Sequence, residues 1–170
     1  MRYPAAKMSS HPISPSGAAF QRAVDHFMAG RPRAAEALLA KILQRQPKDA
    51  DALNLLGVLR CQGGEPLSGA QLISSAIAAK PAPGYFVNLA RALLQLGRPQ
   101  QAAAAARAAI KAGPALAEAR NMLGLTLTEL GQFEEALTAY GEALALKPGL
   151  AEAQVNVGIL MVRVRRPAAA

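Results

Sequence analysis

Apolar residues recur at helical spacing along almost the whole chain, with polar residues between them. In the stretch 50–62, Leu53, Leu56 and Leu59 return every third residue and define one face. This period is typical of an amphipathic α-helix, whereas in a half-buried strand apolar and polar residues would alternate. The pattern predicts helices near 17–29, 32–45, 50–62, 66–79, 84–96, 99–112, 117–130, 133–146 and 151–164.

Glycine and proline interrupt this pattern at regular intervals. Gly30, Gly64, Gly97 and Gly131 are separated by 34, 33 and 34 residues. Because glycine accepts the left-handed conformation that closes a helix, and proline cannot continue one, such positions predict helix ends. One residue is missing between Pro81 and Gly97, and we expect the deletion in the turn KPAPGYF. The same three spacings separate Pro47, Pro81, Pro114 and Pro148, and also Ala35, Gly69, Ala102 and Ala136.

A unit of this length with these markers resembles the tetratricopeptide repeat, a helix–turn–helix module. The resemblance covers residues 16–170, as repeats 16–49, 50–82, 83–116, 117–150 and a partial fifth at 151–170. It implies an all-α fold, a right-handed superhelical solenoid of antiparallel helix pairs. Residues 1–15, rich in proline and serine, are expected to form a disordered leader, in which Met8 is a second candidate start. The best copy matches at Leu123-Gly124, Gly131, Ala136, Tyr140, Ala143 and Pro148.

The resemblance also implies where a partner binds. In this family the first helix of each repeat lines a concave groove that holds a peptide or protein segment. The implied function is therefore that of an interaction scaffold. The residues expected to contact the partner are Asn54, Leu55, Val58, Asn88, Arg91, Gln95, Asn121, Leu125, Glu129, Asn156 and Ile159.

An asparagine occurs once in each later repeat, as Asn54, Asn88, Asn121 and Asn156. An amide group both donates and accepts hydrogen bonds, so it can match a peptide backbone without reading side chains. The row is similar to that of the O-linked N-acetylglucosamine transferases, in which asparagines at the sixth position of the repeat hold extended peptides. Asn88 and Asn156 occupy that sixth position, and the other two come one residue earlier. The alternative is that all four are solvated residues near helix starts.

Some members of the family hold a terminal carboxylate in a clamp of lysine, arginine and asparagine. The corresponding positions here carry Phe20, Val24, Leu55, Gly84 and Asn88. Only the asparagine belongs to the required residue types, and it stands at the wrong position. We therefore do not expect a carboxylate clamp.

Charge raises a nucleic-acid alternative. The net charge is +8, and from Pro66 to Ala117 there is no acidic residue. Single-strand binding usually adds stacking aromatic residues to such a basic surface. Only Tyr85 and Phe86 accompany the first helix of the third repeat, and aromatic residues make up 4% of the chain. An RNA-binding array is therefore the lesser alternative.

The reactive residues do not form a catalytic pattern. Glu134 and Glu135 are neighbours on a predicted helix and do not face each other, and acids are favoured in a first helical turn. His26 has no evident acid–base partner. Cys61, the only cysteine, excludes an internal disulfide and is best interpreted as a small apolar residue that falls on the groove side. We expect no catalytic site, no metal site and no cofactor.

The two ends of the chain suggest its context. There is no secretory signal and no long apolar run, so we expect a soluble, cytoplasmic protein without membrane contact. The helix predicted at 151–164 is too apolar to be left half-covered. This indicates either self-association through that helix or a longer native chain. In the second case the array resembles those that precede bacterial sulfotransferase domains or O-linked N-acetylglucosamine transferase-like domains, and it would be the substrate-recognition arm of a transferase.

Overall fold

The computed structural model describes residues 15–165, and within this range all regular structure is α-helical. Of the predicted leader, only Pro15 lies inside the described residues, where it begins the first helix. Met8 and residues 166–170 lie outside them. The helices are α1 (Pro15–Met28), α2 (Pro32–Arg45), α3 (Ala50–Gln62), α4 (Pro66–Ala79), α5 (Pro83–Gln95), α6 (Pro99–Ala112), α7 (Ala117–Glu129), α8 (Phe133–Leu146) and α9 (Ala151–Arg165).

The helix bounds confirm the prediction closely. The second helix of each pair (α2, α4, α6 and α8) has the predicted range, and the first helices differ by at most two residues at either end. The link between α4 and α5 spans only 80–82, whereas the equivalent links span 46–49, 113–116 and 147–150. The missing residue therefore lies in that link, where the sequence predicted it.

A left-handed glycine closes the first helix of each complete pair. Gly30, Gly64, Gly97 and Gly131 have φ between 67° and 86°, a region that other residues rarely adopt. At each turn the residue after the glycine donates its N–H to the carbonyl five residues back, over 2.9 Å. This bond satisfies an otherwise unpaired helix-end carbonyl and turns the chain into the next helix.

Within a pair, the two helices touch where side chains are smallest. A Cβ atom on Gly57 would lie 2.7 Å from Ile73 Cγ1 and 2.8 Å from the carbonyl oxygen of Gly69. In the fourth repeat the void above Gly124 is filled by the ring of Tyr140, which would lie 2.6 Å from an added Cβ. These contacts show that the small residues let the two helices approach closely and that Tyr140 fills the space over Gly124.

The apolar core runs along the solenoid as a chain of clusters shared between neighbouring repeats. One cluster joins Leu39 and Ile42 of α2 to Leu55 and Leu59 of α3. Another joins alanines of α6 to Met122 of α7. Since each repeat completes its core against its neighbour, no repeat is an independent unit.

The last helix is the exception, because the described residues leave much of its apolar surface uncovered. Five of its large apolar side chains are between 47% and 59% exposed. Gly158, which occupies the same repeat position as Gly57, has no atom within 4 Å of a Cβ built on it. These five side chains are Val155, Ile159, Met161, Val162 and Val164.

The glycines at this repeat position give a matched test of packing. We expect Gly57→Ala to lower the free energy of unfolding by about 1–3 kcal/mol, because the methyl group overlaps the backbone of α4. Gly158→Ala should leave stability unchanged or raise it by up to about 1 kcal/mol, because it meets no neighbour and alanine favours helix. Urea denaturation of both variants measures the difference, and equal effects would contradict the described packing.

Candidate functional site

The first helices of successive repeats lie side by side and form one face of the solenoid. α3 packs against α5, α5 against α7, and α7 against α9. The residues predicted to contact a partner all lie on these four helices. We use the name groove for the surface of α3, α5, α7 and α9 around Asn54, Asn88, Asn121 and Asn156.

The four asparagines form two hydrogen-bonded pairs. Asn88 Nδ2 donates to Asn54 Oδ1 over 3.0 Å, and Asn156 Nδ2 donates to Asn121 Oδ1 over 3.0 Å. In each pair the fifth position of one repeat meets the sixth position of the next. The one-residue offset noted in the sequence is thus the spacing that lets neighbouring helices share a hydrogen bond.

A charged pair stands between the two asparagine pairs. Glu152 Oε2 lies 3.8 Å from a terminal nitrogen of Arg91 and accepts from Asn121 Nδ2 at 3.5 Å, the long limit of a hydrogen bond. Arg91 belongs to α5 and Glu152 to α9, so the interaction reaches across α7. Arg91, Glu152, Asn121 and Asn156 therefore form one polar network over three repeats.

The remaining predicted residues differ in how far solvent reaches them. Gln95 and Glu129 are exposed, and Glu129 accepts a hydrogen bond from Arg163 over 3.3 Å. Leu125 is half-buried, and Ile159 is half-exposed. These four side chains lie on the same helix faces as the asparagines, and solvent reaches each of them.

Three of the predicted residues are buried. Asn121 is 3% exposed, and its amide bonds to Asn156 and Glu152. The other two lie in the apolar core. Leu55 is 8% exposed and Val58 is 4% exposed. Leu55 packs in the cluster formed by α1, α2 and α3. The structure therefore places both beneath the groove surface, where they support its shape.

Cys61 faces α4 instead of the groove side to which the sequence interpretation assigned it. Its sulfur lies against Gly69, and burial raises the pKa of the thiol. Thr128, at the same repeat position in α7, has its hydroxyl 3.3 Å from that of Tyr140 on α8. The twelfth position of a repeat, which Cys61 and Thr128 share, therefore faces the second helix of the same repeat. Side chains at this position pack between the two helices.

A tyrosine–aspartate link between α3 and α5 was not predicted. The hydroxyl of Tyr85 donates to Asp51 Oδ1, and the ring is buried. Burial, together with the hydrogen bond to Asp51 and the negative charges of Asp51 and Asp49, raises the pKa of Tyr85 well above its ordinary range. The sequence indicates this link only through the spacing of Asp51 and Tyr85, which are 34 residues, or one repeat length, apart.

The candidate chemical residues remain separate from one another. Glu134 and Glu135 lie in the first turn of α8 and are exposed, as predicted, and His26 is half-buried on α1. Within residues 15–165, no three His, Cys, Asp or Glu side chains are grouped closely enough to hold a metal ion. Nor does any helix in that range have the length and apolar character needed to cross a membrane.

Comparison with known proteins supports the repeat interpretation. The family model described as the tetratricopeptide repeat matches residues 20–83 and 87–151. Comparison with curated protein sequences gives no match.

Solved structures of similar fold include three that bear on this chain. TTC0263, a thermophilic tetratricopeptide repeat protein of Thermus thermophilus, has a TM-score of 0.80 at 22% identity, covering 88% of this chain and 82% of that one. YrrB, a tetratricopeptide repeat protein with an unusual peptide-binding site, has a TM-score of 0.67 at 21% identity, covering 88% and 78%. The first repeat domain of Spaghetti, bound to an HSP90 peptide, has a TM-score of 0.64 at 21% identity, covering 69% and 94%. At such identities the likeness is one of fold.

The Tyr85–Asp51 link predicts a loss of stability at alkaline pH. The pKa of Tyr85 is raised in the folded chain, so the link contributes fully to the free energy of unfolding below about pH 10, the ordinary pKa of tyrosine. This contribution is lost as the pH rises from there toward the pKa of Tyr85 in the folded chain. We expect the free energy of unfolding of the wild type to fall above about pH 10, and that of Tyr85→Phe to fall less.

Urea denaturation across this pH range measures the effect. Tyr140→Phe is the comparison, because burial also raises the pKa of Tyr140, while its hydroxyl bonds to the neutral side chain of Thr128. At neutral pH, Tyr85→Phe should also cost about 1.5–3 kcal/mol, the range for a hydrogen bond to a charged group. The same alkaline slope in wild type and Tyr85→Phe would contradict the described link.

Proposed function

Since this chain belongs to the tetratricopeptide repeat family, we propose that it binds an extended peptide or protein segment in its groove. The repeat fold is that of protein–protein interaction scaffolds, and the comparison structures include one with a peptide-binding site and one bound to a peptide. The interaction would be reversible binding on a preformed surface, because the first helices are already held in place by their neighbours.

The observation that carries this proposal is the pairing of the groove asparagines. An amide has two donor hydrogens and an accepting oxygen, and the Asn54–Asn88 pair uses only one donor and one acceptor. The Asn121–Asn156 pair uses a second donor as well, from Asn121 to Glu152. The pairing restrains the amide planes and leaves capacity for a ligand backbone. Asn54, Asn88 and Asn156 are half-buried, so solvent still reaches them.

Apolar contacts complete the proposed site. Leu125 on α7 and Ile159 on α9 offer accessible apolar surface beside the polar network. Leu55 and Val58 lie below as part of the support. A bound segment would thus combine backbone hydrogen bonds with apolar side-chain contacts, which is a common division of roles in peptide recognition.

The placement of Tyr85 favours a peptide over nucleic acid. Its ring is buried and its hydroxyl is bonded to Asp51, so it offers no open face on which a base could stack. Within the described residues, the basic side chains that form no ion pair lie mainly on α2, α6 and the connections between helices. A substrate-recognition arm of a transferase would use the same groove, so the proposal holds for that alternative as well.

A displayed library of random peptides provides the test. We expect the wild type to select peptides, and Asn88→Ala combined with Asn156→Ala to weaken their binding about tenfold or more, because two hydrogen bonds of about 1 kcal/mol each are lost. Fluorescence anisotropy of the selected peptides measures the dissociation constants.

The matched control removes an amide from the other side of the solenoid. Gln101→Ala, on the exposed surface of α6, should leave peptide affinity unchanged. Circular dichroism confirms that all variants remain helical. Failure to select any peptide, or equal affinity of the groove variant and the wild type, would refute the proposal.

The uncovered face of α9 supports self-association as a second candidate. We propose that Gly158, Met161 and Val162 pack against a second copy, since they correspond to positions that elsewhere face a second helix. Val162→Glu should then lower the fraction of dimer, whereas Leu67→Glu, on an equally exposed apolar residue of α4, should not. Sedimentation velocity measures this fraction, and a wild type that stays monomeric as its concentration rises would exclude the interface.

A further inference from the structure

The charged side chains of the groove helices already have partners within the chain. In α3, α5, α7 and α9, every charged side chain whose surroundings are described takes part in an ion pair or a hydrogen bond. Most of these links join one helix to another, so the partners are not sequence neighbours. They are Asp51 with Tyr85, Arg60 with Glu36 and Glu65, Arg91 with Glu152, Glu118 with Lys147, Arg120 with Glu142, and Glu129 with Arg163.

Two of the second helices, α2 and α6, show a different arrangement. Five exposed cations on α2 and α6 form no ion pair with a described residue, and α4 carries no charge at all. These cations therefore lie outside the groove, whereas α8, the remaining second helix, carries three glutamates and no cation. The five cations are Arg33, Lys41, Arg45, Arg107 and Lys111.

Two ion pairs decide the electrostatic character of the groove. Arg91–Glu152 and Glu129–Arg163 each place one cation beside one anion on the surface that carries the asparagines. Their fields largely cancel over the distances at which a ligand approaches, so the groove has little means of steering a charged partner. A charged ligand side chain beside either pair would meet both signs at once and would lose its hydration without a counter-ion of its own.

On the basis of the proposed function, the geometry points to an uncharged ligand. We infer that the groove selects an extended segment whose side chains over α5 and α7 carry no charge. The segment places apolar side chains over Val155 and Ile159 of α9. These two residues offer exposed apolar surface on the helix that carries Asn156, at 59% and 50% exposure. The recognising chemistry is therefore amide hydrogen bonding plus apolar burial.

The test uses peptides selected from a random displayed library against the wild-type chain. Only peptides that lose affinity on Asn88→Ala with Asn156→Ala are scored, so that binding elsewhere does not enter. We expect their central residues to be uncharged and their affinity to change less than twofold between about 0.1 and 1 M salt, over which the Debye length falls from about 10 to 3 Å. Synthetic versions with one central Asp or Lys should bind about tenfold or more weakly.

A charge variant tests the cause directly. Arg163→Gln leaves Glu129 without its ion-pair partner, so the groove gains one negative charge. The Lys-bearing peptide should then bind this variant about threefold or more tightly than it binds wild type, while the Asp-bearing peptide should not. Arg107→Gln, which removes a cation from the outer surface of α6, is the matched control and should change neither affinity.

The outcomes separate the two proposals. Selection of peptides with charged centres and strongly salt-dependent affinity would overturn the uncharged-ligand inference and leave peptide binding in place. Equal affinities of the neutral, Asp-bearing and Lys-bearing peptides would also overturn it. Selection of no groove-dependent peptide would overturn peptide binding itself, and the inference with it.

Discussion

The close approach of the two helices in each pair is the constraint on which the structure depends. At Gly57 the backbone of α3 meets that of α4 with no room for a methyl group. In the fourth repeat the same position is Gly124, which faces the ring of Tyr140. The large side chain from α8 thus fills the space that the glycine of α7 leaves open. Because interiors tolerate neither voids nor overlap, these pairs set the distance and angle within each repeat.

A regular repeat in turn places equivalent residues of successive first helices next to each other. This explains why Asp51–Tyr85, Asn54–Asn88 and Glu129–Arg163 are each separated by 34 residues, and Asn121–Asn156 by 35. The asparagine row does not run continuously, because each link joins a fifth to a sixth position. Asn88 stands at the sixth position of its repeat and Asn121 at the fifth position of the next, so these two are not joined in this way. The Arg91–Glu152 ion pair lies in the groove at this point.

The charge of the groove differs from what the net charge of the chain indicates. By itself, the net charge of +8 favours a nucleic-acid partner for the chain as a whole. In the structure, the cations of the groove helices α3, α5, α7 and α9 whose surroundings are described pair with acids of the same or another repeat, whereas α2 and α6 carry cations that form no ion pair with a described residue. A basic chain can therefore have a groove of almost no net charge, since neutralisation depends on which residues face one another.

The sequence alone determined the helices, their turns and the repeat, because these follow from local rules. Left-handed glycines, helix-ending prolines and apolar spacing act within a few residues, and even the shortened link at 80–82 could be located. Tertiary structure decided which candidate residues are accessible. Leu55, Val58 and Cys61 are buried by neighbouring helices, while Arg91 meets Glu152 across an intervening helix. Those contacts join residues far apart in the chain, and spacing within one repeat carries no information about them.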